Sequence, residues 1–245
     1  MSEQIEGRNA VLEAFRSGKC VDKLFILDGC QDGPVRTIAR EARKTDTIIN
    51  YVSKERLDQL SETHAHQGVI AQVAAYDYST VDEILARAEE KGEAPFLIIL
   101  DNVEDPHNLG AILRTADAIG ADGVIFKKTN AVGLTPTVAK VSVGAIDTVK
   151  CASVTNLSRT CEELKEQGWW IVGADMDGVD YRSLDYDMNV VLIIGNEGKG
   201  MSRLLEKQCD YIVSLPMVGK ISSLNASVSA GVLMYEIFNK RFPLK

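Results

Sequence analysis

The sequence predicts an α/β protein of two domains, and three observations carry that prediction. Its 245 residues exceed the usual size of a single domain. Helical and strand-like patterns alternate over the first 75 residues. After a polar, charged stretch the alternation restarts near residue 95 and continues for about 150 residues. The expected divisions are 1–75, a linker over 76–94, and 95–245.

In the first region, apolar residues at helical spacing predict helices over 9–17, 34–43 and 54–60. Short apolar runs predict strands over 23–27, 47–52 and 68–74. Tyr76-Asp-Tyr-Ser-Thr80, the amphipathic stretch 81–91 and Gly92 read as a linker carrying one helix. In the second region the clearest strands are 96–100, 123–126, 169–173 and 190–194. Phe96-Leu-Ile-Ile-Leu100 is apolar on both faces, the pattern of a strand buried in a parallel sheet. Asp105-Pro106 breaks the chain after it. Asn108 stands where an N-cap belongs, and Leu109, Ile112, Leu113, Ala116 and Ile119 follow as one apolar stripe. An apolar helix over 232–238 lies near the end of the chain.

Composition narrows the functional classes. No apolar run approaches the eighteen or so residues of a membrane helix, and Met-Ser-Glu-Gln-Ile-Glu is no signal pattern, so a cytoplasmic protein is expected. Cys20, Cys30, Cys151, Cys161 and Cys209 are odd in number and never form a CxxC pair, which fits reduced thiols. His64, His66 and His107 are too few and too separated for a metal cluster. The formal charge of -8 argues against holding nucleic acid by bulk electrostatics. Residues 1–75, with 10 Lys+Arg against 11 Asp+Glu, are less repelled by RNA than residues 76–245, with 17 against 24.

Three segments of the second region carry chemistry. On the helix after Asp105-Pro106, Arg114 lies off the apolar stripe, one turn beyond Gly110. Long helical side chains lean toward the helix N-terminus, so Arg114 is expected to cross Gly110 and face an anion at the strand end. A surface ion pair with Asp117 is the competing reading. In the second segment a strand runs into Gly195-Asn-Glu-Gly-Lys-Gly200, whose three glycines in six residues permit close backbone approach to a ligand. The order is GxxGxG, and neither a Rossmann fingerprint nor a phosphate loop occurs, which disfavours a nicotinamide or nucleoside triphosphate enzyme. A plain turn with Ser202 capping the next helix competes. The third segment, Leu215 to Gly231, groups Ser222, Ser223 and Asn225 at a helix start and continues through small Ser227, Ser229 and Gly231. It reads as a cap with bystanders or as a face that something packs against closely.

Taken together, Asp-Pro-His-Asn-Leu-Gly-x-x-x-Arg-Thr-Ala-Asp, Ile-Gly-Asn-Glu-Gly-Lys-Gly-Met and Leu-Pro-Met-x-Gly-x-x-Ser-Ser-Leu-Asn-x-Ser-Val resemble the three motifs of the SpoU/TrmH family of RNA ribose 2'-O-methyltransferases. Gly7-Arg-Asn-Ala-Val11 and His66-Gln-Gly-Val-Ile-Ala71 resemble the substrate-binding domain of its RlmB-like branch. The resemblance implies a SPOUT-type α/β domain with a deep trefoil knot, preceded by a small ribosomal-protein-like α/β domain. It implies S-adenosylmethionine as cofactor and a homodimer whose active site draws on both subunits. Gly195, Gly198, Leu215, Leu224 and Ser229 would then line the cofactor pocket, and Arg114, Asn108, Glu197, Ser223 and Asn225 would serve catalysis. Arg8, Asn9, His66 and Gln67 would meet RNA, with a guanosine of 23S rRNA favoured as substrate. Transfer RNA and a non-catalytic RNA-binding or ribosome-assembly role are the alternatives. The resemblance implies Arg114 as an essential residue and as the proton acceptor, but a guanidinium is a poor base. The alternative is that Arg114 holds phosphate and the developing alkoxide while Glu197 or solvent receives the proton, and the sequence leaves the base open.

Overall fold

Local signals start and stop most elements of the computed structural model, which describes residues 3–45, 47–74, 76–196, 198–220 and 223–243. Contacts divide the chain into two units, Met1–Asp77 with Gly133–Pro136, and Tyr78–Val132 with Thr137–Lys245. The first unit contains β1 (Glu3–Glu6), α1 (Arg8–Arg16), β2 (Val21–Leu27), α2 (Gly33–Lys44), β3 (Ile48–Val52), α3 (Lys54–Leu60) and β4 (Val69–Val73). Asp32 caps α2 by accepting the Val35 N–H, and Pro34 enters at the first turn, where its missing N–H costs nothing. Val35, Ile38, Ala39 and Ala42 then form its buried stripe. These side chains meet Leu24 and Ile26 of β2 and Val69, Ala71 and Val73 of β4. The sheet order is β1-β4-β2-β3, with β4 antiparallel to both neighbours and β2 parallel to β3.

The second unit contains α4 (Val81–Glu90), β5 (Phe96–Leu100), α5 (Pro106–Ala118), β6 (Gly123–Lys127), α6 (Pro136–Ser142), α7 (Ala145–Thr148), β7 (Lys150–Val154), α8 (Leu157–Glu166), β8 (Trp170–Asp180), β9 (Val190–Ile194), α9 (Arg203–Glu206), β10 (Tyr211–Ser214) and α10 (Ala226–Arg241). Its sheet is parallel throughout, in the order β10-β8-β9-β5-β6-β7. β5 and β9 are buried along their whole length, as their two-faced apolar sequences require. Leu97, Ile99, Ile125, Val191 and Ile193 share one core with residues of α4, α8 and α9. The stretch expected in a linker is therefore a packed helix. Thr80 and Glu83 close a capping box at its start, and a Cβ on Gly123 would lie 2.6 Å from its Ile84.

The helix after β5 differs from the expectation at its first turn. Asp105, not Asn108, is the N-cap, its Oδ1 accepting the His107 N–H at 2.8 Å. Pro106 fixes the first helical φ, so the helix begins early and Asn108 falls inside it, 5% exposed. No helix among the described residues is long and apolar enough to cross a membrane.

Candidate active site

β8, β9 and β5 lie side by side and run in one direction, so the connections that follow them leave from one edge of the sheet. The residue after β5 is Asp101, 3% exposed. Its Oδ2 accepts the Ser202 N–H at 2.7 Å, and its Oδ1 accepts from Asn102 Nδ2 at 2.8 Å. Asn102, at φ 58, offers its carbonyl to Asn196 Nδ2 at 3.0 Å. Asn196 Oδ1 in turn accepts the N–H groups of Gly198 and Lys199, while its backbone pairs with Gly200 in both directions. The glycine segment is thus stitched to the end of β5 by one carboxylate and two amides. Ser202 does precede α9, but its side chain makes no capping bond, and its N–H serves this clasp.

Gly195 has no room for a side chain. A Cβ there would lie 2.4 Å from the Gly200 carbonyl carbon. Beside this loop is a cavity of about 370 Å³. Gly195, Gly198, Leu215, Ser223, Leu224 and Ser229, all singled out from sequence, line it. Ala174 to Asp177 in β8, together with Lys199 and Met217, complete walls that sequence reasoning missed. β8 continues through Gly173 to Asp180, and its second half looks like a polar loop in sequence. Glu197 and Ser222 lie outside the described residues.

S-adenosylmethionine fits this arrangement. The volume falls in the range of small-ligand pockets, about 300–1,000 Å³. Leu215, Met217, Leu224 and Leu233 offer apolar surface to a flat base, and the tightly folded glycine backbone offers polar groups where no side chain intervenes.

The first motif meets the third through one bond. Asn225 Nδ2 donates to Asn108 Oδ1 at 3.0 Å, while Asn225 Oδ1 caps α10 by accepting the N–H groups of Ser227 and Val228. Arg114 stands elsewhere. It is exposed, and among the described residues nothing pairs with it. Its expected route across Gly110 is closed, because a Cβ on Gly110 would already lie 2.6 Å from Val141. The ion pair with Asp117 is not formed either, and Asp117 Oδ1 accepts from Thr148 Oγ1 at 2.6 Å. Neither Asn108 nor Arg114 lines the cavity within its own chain.

In the first unit, Arg8 and Gln67 come together. Arg8 Nε donates to the Gln67 carbonyl at 3.0 Å and its Nη2 pairs with Asp32 at 2.7 Å, while Asn9 is exposed. His66 is 8% exposed, with Nε2 on Asp58 and Nδ1 accepting the Gly68 N–H, so its ring holds the turn at Gln67 and Gly68, both at positive φ.

Comparisons with known proteins agree with this geometry. A profile of the SpoU rRNA Methylase family matches residues 95–235, and one described as RNA 2'-O ribose methyltransferase substrate binding matches residues 4–79. A Bacillus subtilis protein assigned by name to the TrmH family of tRNA/rRNA methyltransferases is 50% identical over 100% of this chain and 99% of its own. The SpoU methyltransferase AviRb from Streptomyces viridochromogenes, solved with AdoMet, is 26% identical over 97% of this chain and 90% of its own, with a TM-score of 0.62. An AdoMet-bound rRNA methyltransferase from Sinorhizobium meliloti is 25% identical over 99% and 88%, also with a TM-score of 0.62.

Proposed function

The chain belongs to the SpoU rRNA methylase family and is an S-adenosylmethionine-dependent RNA methyltransferase; from that premise we propose that it methylates the ribose 2'-hydroxyl of a guanosine in 23S rRNA, in the cytoplasm. The observation that carries the proposal is the cavity in which the Gly195 loop and the Ser223-Leu224 turn come together. A ribosomal substrate is favoured by the company the whole chain keeps. The Sinorhizobium rRNA methyltransferase matches 99% of it, whereas a tRNA-modifying TrmH/SpoU enzyme from A. aeolicus matches 65%. We assign residues 1–75 to RNA binding, with Arg8, Asn9 and Gln67 in contact and His66 supporting their turn, and residues 95–245 to catalysis in a knotted domain.

Bound in the cavity, S-adenosylmethionine supplies a methyl group already activated on its sulfonium. Gly195, Gly198, Leu215, Leu224 and Ser229 hold it, largely through backbone groups. A 2'-hydroxyl attacks well only when aligned and while losing its proton, so the protein's task is placement and charge. Arg114 grips the neighbouring phosphate and stabilises the oxygen as it turns anionic. Asn108, Ser223 and Asn225 position the ribose, and the proton leaves to Glu197 or to solvent.

We place Arg114 in the site of a second copy of the chain. It is exposed and does not line its own cavity, and α10 exposes Val228, Val232 and Tyr235 along one stripe at the i, i+4, i+7 spacing of a helix contact. Calorimetry with S-adenosylmethionine followed by methyl transfer to unmodified 23S rRNA and tRNA transcripts tests the reading. Binding with transfer to 23S rRNA is expected. Binding without transfer to either RNA would overturn it in favour of a non-catalytic RNA-binding protein.

A further inference from the structure

Gly110, Arg114 and Asp117 occupy one face of α5, at i, i+4 and i+7. The segment 141–148 runs along that face. Val141 covers Gly110, and Thr148 donates to Asp117, so the ends of the segment are fixed against α5 seven residues apart on both chain segments. The turn between α6 and α7 therefore crosses the helix at the level of Arg114. That turn has two consecutive residues in the left-handed region, Val143 at φ 52 and Gly144 at φ 92. Glycine is at ease there, whereas a β-branched residue is strained. Val143 is also 70% exposed, between the buried Ser142 and Ala145. Neither backbone nor packing favours valine at this position. On the face of α5 that this turn crosses, Arg114 is exposed and without a partner among the described residues.

We propose that Val143 is a substrate-contact residue, its isopropyl group packing against the ribose and base of the nucleotide whose phosphate Arg114 takes. This rests on the role assigned to Arg114 above. An apolar knob beside an exposed cation matches a nucleotide, which joins an apolar ring face to a phosphate. The strained turn keeps the knob outside the core while leaving Arg114 exposed.

The test compares Val143→Gly, Val143→Asn and Val143→Ile in the full chain, using unmodified 23S rRNA transcript and S-adenosylmethionine. Glycine and asparagine both tolerate positive φ. Their variants are expected to unfold at higher temperature than wild type, to keep its affinity for S-adenosylmethionine, and to raise the KM for RNA at least tenfold. Val143→Ile keeps strain and apolar surface and is expected to keep the wild-type KM. A wild-type KM in the stabilised Gly and Asn variants would overturn the proposal. So would a KM increase accompanied by dissociation in sedimentation, which would assign Val143 to an interface between copies. Wild-type transfer to tRNA in place of 23S rRNA would overturn the substrate reading alone, and the same KM comparison on tRNA would still decide Val143. No transfer to either RNA would overturn both.

Discussion

A single methyl group at position 195 is the smallest change expected to close the site. Gly195→Ala puts a carbon where the Gly200 backbone already lies, so loop and cavity wall must separate. Overpacking of this kind costs about 1–3 kcal/mol, and the affinity for S-adenosylmethionine, read by calorimetry, is expected to fall more than tenfold. Arg114 carries the opposite expectation. Arg114→Lys keeps a positive charge but loses the planar fork, so kcat on RNA should fall by about two orders of magnitude with cofactor affinity unchanged. Substantial retained activity would rule out a bidentate role. Glu6 gives the first unit a pH dependence. Burial alone would raise its pKa, but hydrogen bonds from Ser61, Thr63, the Glu62 N–H and Gln4 outweigh it and hold the pKa at about 2, against an ordinary value of 4.5. A depressed carboxylate stabilises the fold above its unfolded pKa and loses that contribution as pH falls toward the folded one. Wild type should therefore exceed Glu6→Gln in stability above about pH 4.5, with the gap closing toward pH 2 in acid unfolding.

At the scale of elements, the decisive join is the Asp101 clasp. Both carboxylate oxygens accept, one from the Ser202 N–H and one from the Asn102 amide. An amide in their place keeps the shape but turns one acceptor into a donor, which must then face another donor. Asp101→Asn should cost about 2 kcal/mol, the scale of hydrogen bonds to a charged group, and weaken cofactor binding about tenfold, both read in one thermal-shift titration. The elements differ in how plainly sequence announces them. The strands at 96–100 and 190–194 and the helix at 54–60 fall where expected, because two-faced apolar runs and a capping Ser53 leave little choice. β1 is polar and exists only by pairing with β4, while β7 and β10 are short. α8 is different, since its cap Asn156 and its stripe Leu157, Cys161 and Leu164 are plain in sequence and count among the signals missed. The glycine loop was legible because three glycines in six residues mark a backbone folded too tightly for side chains. The surroundings of Arg114 were not, because what covers Gly110 arrives from α6, about thirty residues downstream.

For the whole molecule, the account requires two chains to complete one site. Arg114→Ala and Gly195→Ala are each expected to be inactive alone. Co-refolded, they should regain activity, because a mixed dimer assembles one site with Arg114 from one protomer and the Gly195 loop from its partner. Silence in the mixture would place each site within a single chain. The chemistry itself is tested most directly by mapping ribose 2'-O-methyl groups in total RNA from cells with the protein, without it, and complemented by wild type or Arg114→Ala. The account predicts that one guanosine of 23S rRNA loses its methyl group without the protein and regains it only with wild type. An unchanged map would contradict it.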